Sequence, residues 1–447
     1  MWPGSGPAPR LASLAALVAF HVVIAGGGFG GLYAARRLES VLARHSATIT
    51  LVTETNYLLY TPLLPGAAAG SLEPRHVVVP AREELGWTEV KLGSVTGGDA
   101  RARELGVRTV DGRDETLGYD HLILALGSVS RTLPVPGLAE HGLGFKDLPD
   151  AVELRNRALW NLEVAESLPD REQRRAYLTF VFVGAGYAGV EGIAELQDFV
   201  NSVIHRYPRC RIDGTRWVLV EAENRIMQEI PESLAEFATR ELRGRGLEIA
   251  TGTRLGSLTA DSATLSTGEV VPTRYLCWTA GVKPPAVVKD LGLPLGEHGR
   301  IVTDRYLRVE GCPGVWAIGD AAAVPDPAQG RKRPCPPTAQ HALRHGRRAA
   351  ENVAASLRGR KLKPFRYRTL GVFVDMGQHL AVATMLGVRL RGLPAWFAAR
   401  TYHLMLMPGL GRRFRLAADW TVGLFFGRAS AELGQLGHPL RLGDEER

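Results

Sequence analysis

His21–Gly31 reads HVVIAGGGFGG, and the rest of the chain is organised around it. The apolar run His21–Ala25 predicts a buried parallel strand. It feeds into Gly26, Gly28 and Gly31, the G-x-G-x-x-G spacing. Leu32, Ala35, Leu38 and Leu42 fall near one face of a helix, so Leu32–Val41 is expected to be helical. Strand, glycine turn and helix are the context that gives this spacing meaning. The first glycine permits the tight turn, the second lets backbone approach a pyrophosphate, and the third lets the helix pack on the strand. The helix N-terminus offers free N–H groups to the phosphates. The next expected strand, Ala47–Val52, leads to Glu54, about where an acidic ribose ligand belongs.

A single glycine turn is weak evidence, but this one recurs. Leu178–Val183 is an apolar run, followed by Gly184, Gly186 and Gly189 and a helix through Glu191, Ala194 and Leu196. The next strand, Trp217–Val220, ends at Glu221. Two complete strand–glycine–helix–strand–acid units make chance turns a poor explanation. A carboxylate at Glu221 accepts hydrogen bonds from ribose hydroxyls. Beside a 2′-phosphate it would be repelled, at a cost on the order of several kcal/mol. Glu221 therefore argues for NADH over NADPH, while Arg225 nearby is placed to soften that preference.

Between and after these units the pattern is mostly strand. Val77–Val79 and Glu89–Val95 are short strands, and Val107–Val110 and Glu115–Leu117 flank a hairpin turn at Asp111-Gly112-Arg113. Tyr119–Gly127 closes on Gly127, Tyr275–Gly281 closes on Gly281, and Leu148–Leu168 is a helix. Glu248–Thr253 and Ala263–Ser266 are further strands. Val315–Ala321 ends a strand in Gly319-Asp320, where Asp320 is suited to a flavin's ribityl chain. Pro336–Ala342 opens a helix running to about Leu357. Its N-terminus points Gln340 and His341 toward a redox centre on one reading. On the other, His341 is an ordinary helix-surface histidine.

The chain has 447 residues, 45% hydrophobic and 22% charged, with a formal net charge of +8. This is a globular composition with room for several domains. No nucleic-acid motif accompanies the basic balance, and no metal site is expected. Cys210, Cys277, Cys312 and Cys335 are scattered, which disfavours a disulfide framework and points to a reducing compartment. No run of about 18 uncharged apolar residues predicts a spanning helix. Met1–Pro9 reads as an extension, and Leu11–Phe20 weakly imitates a signal peptide. Past Lys361 the chain becomes basic and aromatic, with Leu393–Met407 and Trp420–Phe426 flanked by arginines. These runs are expected to be interfacial helices on an anionic membrane surface. A homodimer interface, or a cap on the nucleotide domains, is the other use of the same residues.

GGGFGG, YDHLILALG, GAGYAGVE, LVEAENRI, WTAGVKP and VWAIGDAA followed by PPTAQHA occur in the order seen in flavin-dependent pyridine nucleotide oxidoreductases. More closely, the chain resembles the type II NADH dehydrogenases, with NYLLYTPLL and DWTVGLFFGR similar to that family's loop and tail. The resemblance implies an α/β fold with two Rossmann-like dinucleotide-binding domains and a C-terminal amphipathic helical region. It places an extension at 1–19, an FAD domain at 20–148 and 283–355, an NADH domain at 149–282, and a membrane or dimer region at 356–447. It implies FAD contacts at Gly26, Gly28, Gly31, Glu54, Gly127 and Asp320. NADH contacts are implied at Gly184, Gly186, Gly189, Glu221 and Gly281. Glu191 falls beside nicotinamide and flavin, and Gln340 beside flavin and quinone. Many members carry Gln or Glu one turn after the first Gln; here that position is Arg344. The implied activity is non-pumping NADH:quinone oxidoreduction at the cytoplasmic face of the cell membrane. The alternatives are a ferredoxin-type or small organic acceptor, or a low-turnover flavin NADH sensor.

Overall fold

The computed structural model describes residues 20–330, 333–369 and 371–434. The extension expected over residues 1–19 lies outside them. β1 (Phe20–Ala25) is wholly buried from Val22 to Ala25, as its unbroken apolar run requires of a strand covered on both faces. It leads through the glycine turn to α1 (Phe29–Val41) and then to β2 (Ala47–Thr53). β1 pairs in parallel with β2 on one side and with His121–Leu124 on the other. The seven-stranded sheet runs Val315–Ala317, His121–Leu124, β1, β2, Glu89–Asp99, Glu104–Thr109, Asp114–Gly118. Its first five strands are parallel, and the last two fold back as the expected hairpin, closed at Gly112 with φ 86°.

α2 (Leu148–Ser167) starts where its sequence provides a cap. Asp147 accepts the Asp150 N–H at 3.0 Å, and Asp150 accepts the Asp147 N–H at 3.2 Å. The second unit then repeats the first: β3 (Thr179–Val183), α3 (Tyr187–Val203) and β4 (Arg216–Val220). Its parallel sheet runs Leu247–Ala250, β4, β3, Tyr275–Trp278. A small antiparallel sheet supplies Leu255, Leu258, Ala263, Leu265 and Val271, which pack on Val181, Val183, Val218 and Val220. Both units are Rossmann-like, and the class is α/β.

α4 (Ala339–Leu357) returns to the first unit and lies along α1. The helices approach so closely that a Cβ on Gly346 would fall on the Gly30 carbonyl oxygen. Asn352, 1% exposed, donates to the carbonyls of Tyr306 and Lys363 and accepts the Lys363 N–H, each at 2.9 Å, which pins the connection beyond the helix.

The tail departs from a purely helical reading. An antiparallel sheet comes first: β5 (Gly371–Asp375), β6 (Ala381–Met385) and β7 (Val388–Arg391). The helices α5 (Leu393–Leu406) and α6 (Leu410–Phe425) follow, over the two aromatic runs. Trp396 is 5% exposed and closes a small core with Ala381, Ala383 and Ala395. Part of the aromatic content is therefore core rather than surface. Strands of only four or five residues carry little periodic signal, which hid this sheet among the basic and aromatic runs. Among the described residues no helix is long and apolar enough to cross a membrane.

Gly346→Ala forces α1 and α4 apart against backbone. Overpacking of this kind costs about 1–3 kcal/mol, offset by up to about 1 kcal/mol of helix propensity. The expected outcome is a lower Tm for the FAD-loaded protein; an unchanged or higher Tm would contradict the close approach.

Candidate active site

Both glycine turns use one geometry. Gly26 has φ 108° and Gly184 has φ 104°, which a side chain rarely tolerates. A Cβ on Gly31 would fall on the Gly26 carbonyl oxygen, and one on Gly189 on the Gly184 carbonyl oxygen. Nothing lies within 4 Å of a Cβ built on Gly28 or Gly186. Those two residues start α1 and α3, and no side chain caps either helix. Two helix N-termini with uncapped first-turn N–H groups thus face open space, an arrangement that fits a pyrophosphate at each.

The two acids differ. Glu54 is exposed at the end of β2. Glu221 folds against the second glycine turn, accepting the Ala185 N–H at 2.6 Å and the Glu223 N–H at 3.0 Å. Arg225 turns away: its guanidinium donates to the Met227 and Gln228 carbonyls, each at 2.9 Å. It is engaged with backbone instead of being available to a 2′-phosphate.

Gly127 (φ 67°) and Gly281 (φ 96°) each precede a short strand that joins the two units. Just beyond them Val129–Ser130 pairs with Val282–Lys283. Nearby, the Ser128 hydroxyl donates to Asp320 at 2.8 Å, and the Lys146 ammonium donates to Ser128 at 3.0 Å. The expected strand-end aspartate therefore has a polar chain behind it that the sequence did not reveal.

At the start of α4, Thr338 caps the helix by accepting the His341 N–H. His341 is 4% exposed, so it is not a surface histidine; its ring lies 2.8 Å from the Thr338 hydroxyl. His345 accepts the Gly319 N–H at 3.3 Å, and burial pushes its pKa down to about 3. Gln340 is held on both sides. Its carbonyl accepts the Tyr367 hydroxyl at 2.7 Å and its amide donates to the Gly371 carbonyl at 3.0 Å.

Glu191 lies across from these groups, in a pocket between α3, the loop at 62–72 and the tail. It accepts the Asp375 N–H at 3.0 Å, and burial holds its pKa well above the usual carboxylate range. Glu195, one turn on, lines the same pocket, and burial pushes it up to about 7. Asp375 is raised by burial as well. Arg400 faces both from between the rings of Trp396 and Trp420, 4.1 and 4.8 Å from their centroids. Arg428 reaches Asp198 at 2.7 Å and Glu195 at 3.5 Å. Glu195, Asp375 and Arg400 went unrecognised in the sequence, because nothing local joins residues so far apart. Tyr60, inside the aromatic loop that was singled out, is 3% exposed and packs edge-on against Phe29 and His403.

Residues 20–346 match the pyridine nucleotide-disulphide oxidoreductase family. Among curated relatives, the demethylphylloquinone reductase NdbB of Synechocystis is 32% identical over 407 residues, covering 90% of this chain and 95% of its own. The type II NADH:quinone oxidoreductase Ndh of Mycobacterium tuberculosis is 31% identical, covering 90% and 87%. The chain belongs to the type II NADH:quinone oxidoreductases, within the pyridine nucleotide-disulphide oxidoreductase family. The fold of NDH2 from Plasmodium falciparum, solved with NADH, superposes with a TM-score of 0.85 over 92% of this chain and 99% of that one, at 19% identity. The likeness in fold therefore extends through the tail, beyond the residues the family model matches.

Two outcomes follow from this geometry. Glu221→Gln removes the charge that would face a 2′-phosphate, so kcat/KM for NADPH relative to NADH should rise roughly tenfold, about 1.4 kcal/mol. An unchanged ratio would refute the role given to Glu221. The second concerns Glu195, which binds its proton more tightly folded than unfolded. Stability is then full at low pH and falls as pH rises from the ordinary value of 4.5 through about 7. Glu195→Gln should shrink the drop in Tm between about pH 5 and pH 8; an equal drop would assign it to other groups.

Proposed function

We propose that this protein is an FAD-dependent NADH:quinone oxidoreductase that does not pump protons. The observation that carries the reading is the pair of uncapped glycine turns, in units joined where Val129–Ser130 pairs with Val282–Lys283. One turn serves each dinucleotide. On this reading FAD lies on Gly26, Gly28 and Gly31, with Glu54 at its ribose, Gly127 alongside and Asp320 at its ribityl chain. NADH lies on Gly184, Gly186 and Gly189, with Glu221 at its ribose and Gly281 alongside. The FAD domain is 20–148 with 283–355, the NADH domain 149–282, and the membrane or dimer region 356–447.

FAD held there would supply the two-electron carrier chemistry between NADH and a quinone. The protein's part is to orient and to exclude water. The Asp320–Ser128–Lys146 chain fixes a carboxylate near the junction of the two units. The N-terminus of α4 presents partial positive charge beside it. Glu191, whose pKa burial raises well above the usual carboxylate range, is a hydrogen-bonding group on the nicotinamide side. Gln340, immobilised by Tyr367 and Gly371, stands on the acceptor side. Disulfide chemistry has little support. Burial pushes the Cys210 and Cys335 thiols up to about 12 and holds Cys277 well above its ordinary value, so none of these three is a ready thiolate.

The tail supports work at a membrane. Leu410, Phe414 and Phe425 are 82%, 76% and 77% exposed, and Phe397 and Met405 add to an apolar surface on α5 and α6. The same helices are tied down behind. Asp419 meets His76 at 2.6 Å, and Arg412 meets Glu83 at 2.7 Å and also Glu84. An apolar surface on a well-anchored support suits peripheral binding to an anionic leaflet, at the cytoplasmic face in this reading. A second copy of the chain is the other occupant such a surface would accept.

The test is NADH oxidation by FAD-loaded protein, with and without a quinone and with and without anionic vesicles. Quinone-dependent turnover that rises with vesicles is expected. Phe414→Ser with Phe425→Ser should weaken vesicle binding at least about tenfold, since each large apolar side chain contributes roughly 1.5–3 kcal/mol. Flavin reduction by NADH should not change. Reduction without any quinone turnover would reject the acceptor class and leave the two nucleotide sites standing.

A further inference from the structure

We propose that Arg344 supplies the positive charge and hydrogen-bond donors that hold the acceptor's carbonyl oxygen as it becomes negative, with Tyr402 opposite. This rests on the quinone-reductase reading and deepens it. Arg344 stands one helical turn beyond Gln340 on α4 and is half-buried. Its guanidinium lies over the Tyr367 ring, 4.1 Å from the centroid, and donates once to the Gln340 backbone carbonyl at 2.9 Å. Among the described residues no carboxylate pairs with it. Arg348, one turn further on, is paired with Glu351 at 2.8 Å, so the same helix face offers a direct contrast. A guanidinium carries five donors in a rigid fork. Most of those of Arg344 remain for a ligand, and an aromatic ring beneath fixes their plane.

The surroundings point to one kind of ligand. The Tyr402 hydroxyl is buried and has no hydrogen-bond partner. Arg344 faces it without meeting hydrogen-bond geometry, and burial nonetheless keeps the phenol protonated and able to donate. The Tyr402 ring stacks on Phe373 at 4.8 Å, with His403 edge-on at 5.3 Å. Burial pushes the His403 pKa down to about 4, so it adds no charge. The result is an aromatic cluster that holds, among the described residues, one cation with no carboxylate partner and one hydroxyl with no hydrogen-bond partner. Gln340 is already engaged at its carbonyl and its amide. The free donors for an acceptor therefore belong to Arg344 and Tyr402.

The charge balance explains why a cation helps. Overall, NADH, one proton and a quinone give NAD⁺ and a quinol. The quinone gains two electrons and two protons. One proton arrives with the reducing equivalents of NADH and the other comes from solvent. Before the second proton arrives, one quinone oxygen carries a negative charge. A preorganised donor aimed at a developing oxyanion acts on the rate, and removing one costs about 10²–10³-fold in well-defined cases. Arg344 is partly solvated, so a smaller effect is expected.

The experiment compares FAD-loaded wild type, Arg344→Gln, Arg344→Lys and Arg348→Gln. Each is reduced with NADH without oxygen and mixed in a stopped-flow instrument with a soluble naphthoquinone. Arg344→Gln should slow reoxidation by about 10–100-fold, Arg344→Lys should lie between it and wild type, and Arg348→Gln should match wild type. Reduction by NADH should be the same in all four, which also reports that each variant is folded and loaded. A second readout needs no turnover. 2-Hydroxy-1,4-naphthoquinone is an anion at neutral pH and mimics the charged oxygen. Its affinity for the oxidised enzyme should fall about tenfold in Arg344→Gln, about 1.4 kcal/mol, while that of neutral 1,4-naphthoquinone holds. If reduced wild type passes no electrons to quinone, the functional reading itself fails. If it does and Arg344→Gln keeps pace and binds the anion equally well, only the assignment of Arg344 is overturned.

Discussion

The structure depends on a steric contact repeated twice: a glycine with no room for a side chain beside the first carbonyl of the turn. Gly31 lies on the Gly26 carbonyl and Gly189 on that of Gly184. Each contact lets a helix start directly over the end of a parallel strand, with its first-turn N–H groups aimed past the sheet. A methyl group at either position would push the helix from its strand. The N–H groups would then point elsewhere, and the dinucleotide would lose its phosphate site. The same economy of space recurs at Gly346, where α4 meets α1 backbone to backbone. Through that contact the C-terminal half of the nucleotide fold, including Gln340 and Arg344, is held in register with the N-terminal turn.

The tail is docked by a different kind of interaction. Three carboxylates, buried Glu195 with half-buried Glu191 and Asp375, gather with Arg400 and Arg428 where α3, the tail sheet and α5 converge. Buried charges of both signs are costly unless they pair and hydrogen-bond. Here the Arg400 cation is further held between two indole rings. The cluster joins elements more than 170 positions apart in sequence, as the Glu191–Asp375 hydrogen bond illustrates with a separation of 184. It fixes the tail relative to the NADH unit and leaves the far side of α5 and α6 apolar and exposed.

Much of the fold was legible because its signals are local. Unbroken apolar runs such as Val22–Ala25 mark strands buried on both faces. Glycine spacing marks the turns. The position of Glu221 at the end of its strand was equally readable, and the parallel pairing of β3 and β4 sets that strand end beside the second turn. The tail sheet was not legible. Its strands are short, and their apolar faces are made by packing on Trp396 on one side and, through Val374 and Val382, on the core of the second unit on the other.

By itself the sequence determined two nucleotide-binding units, their order and the acid in each, because a turn's geometry is set by the few residues that make it. It also marked Arg344 as out of keeping with the family resemblance. Only the tertiary structure decided what surrounds that arginine: Tyr367 beneath it, Tyr402 before it and no carboxylate beside it among the described residues. It decided too that Arg225 turns to backbone and that His341 is buried. The charge a side chain leaves uncompensated depends on neighbours brought in from distant segments, and packing alone determines which those are.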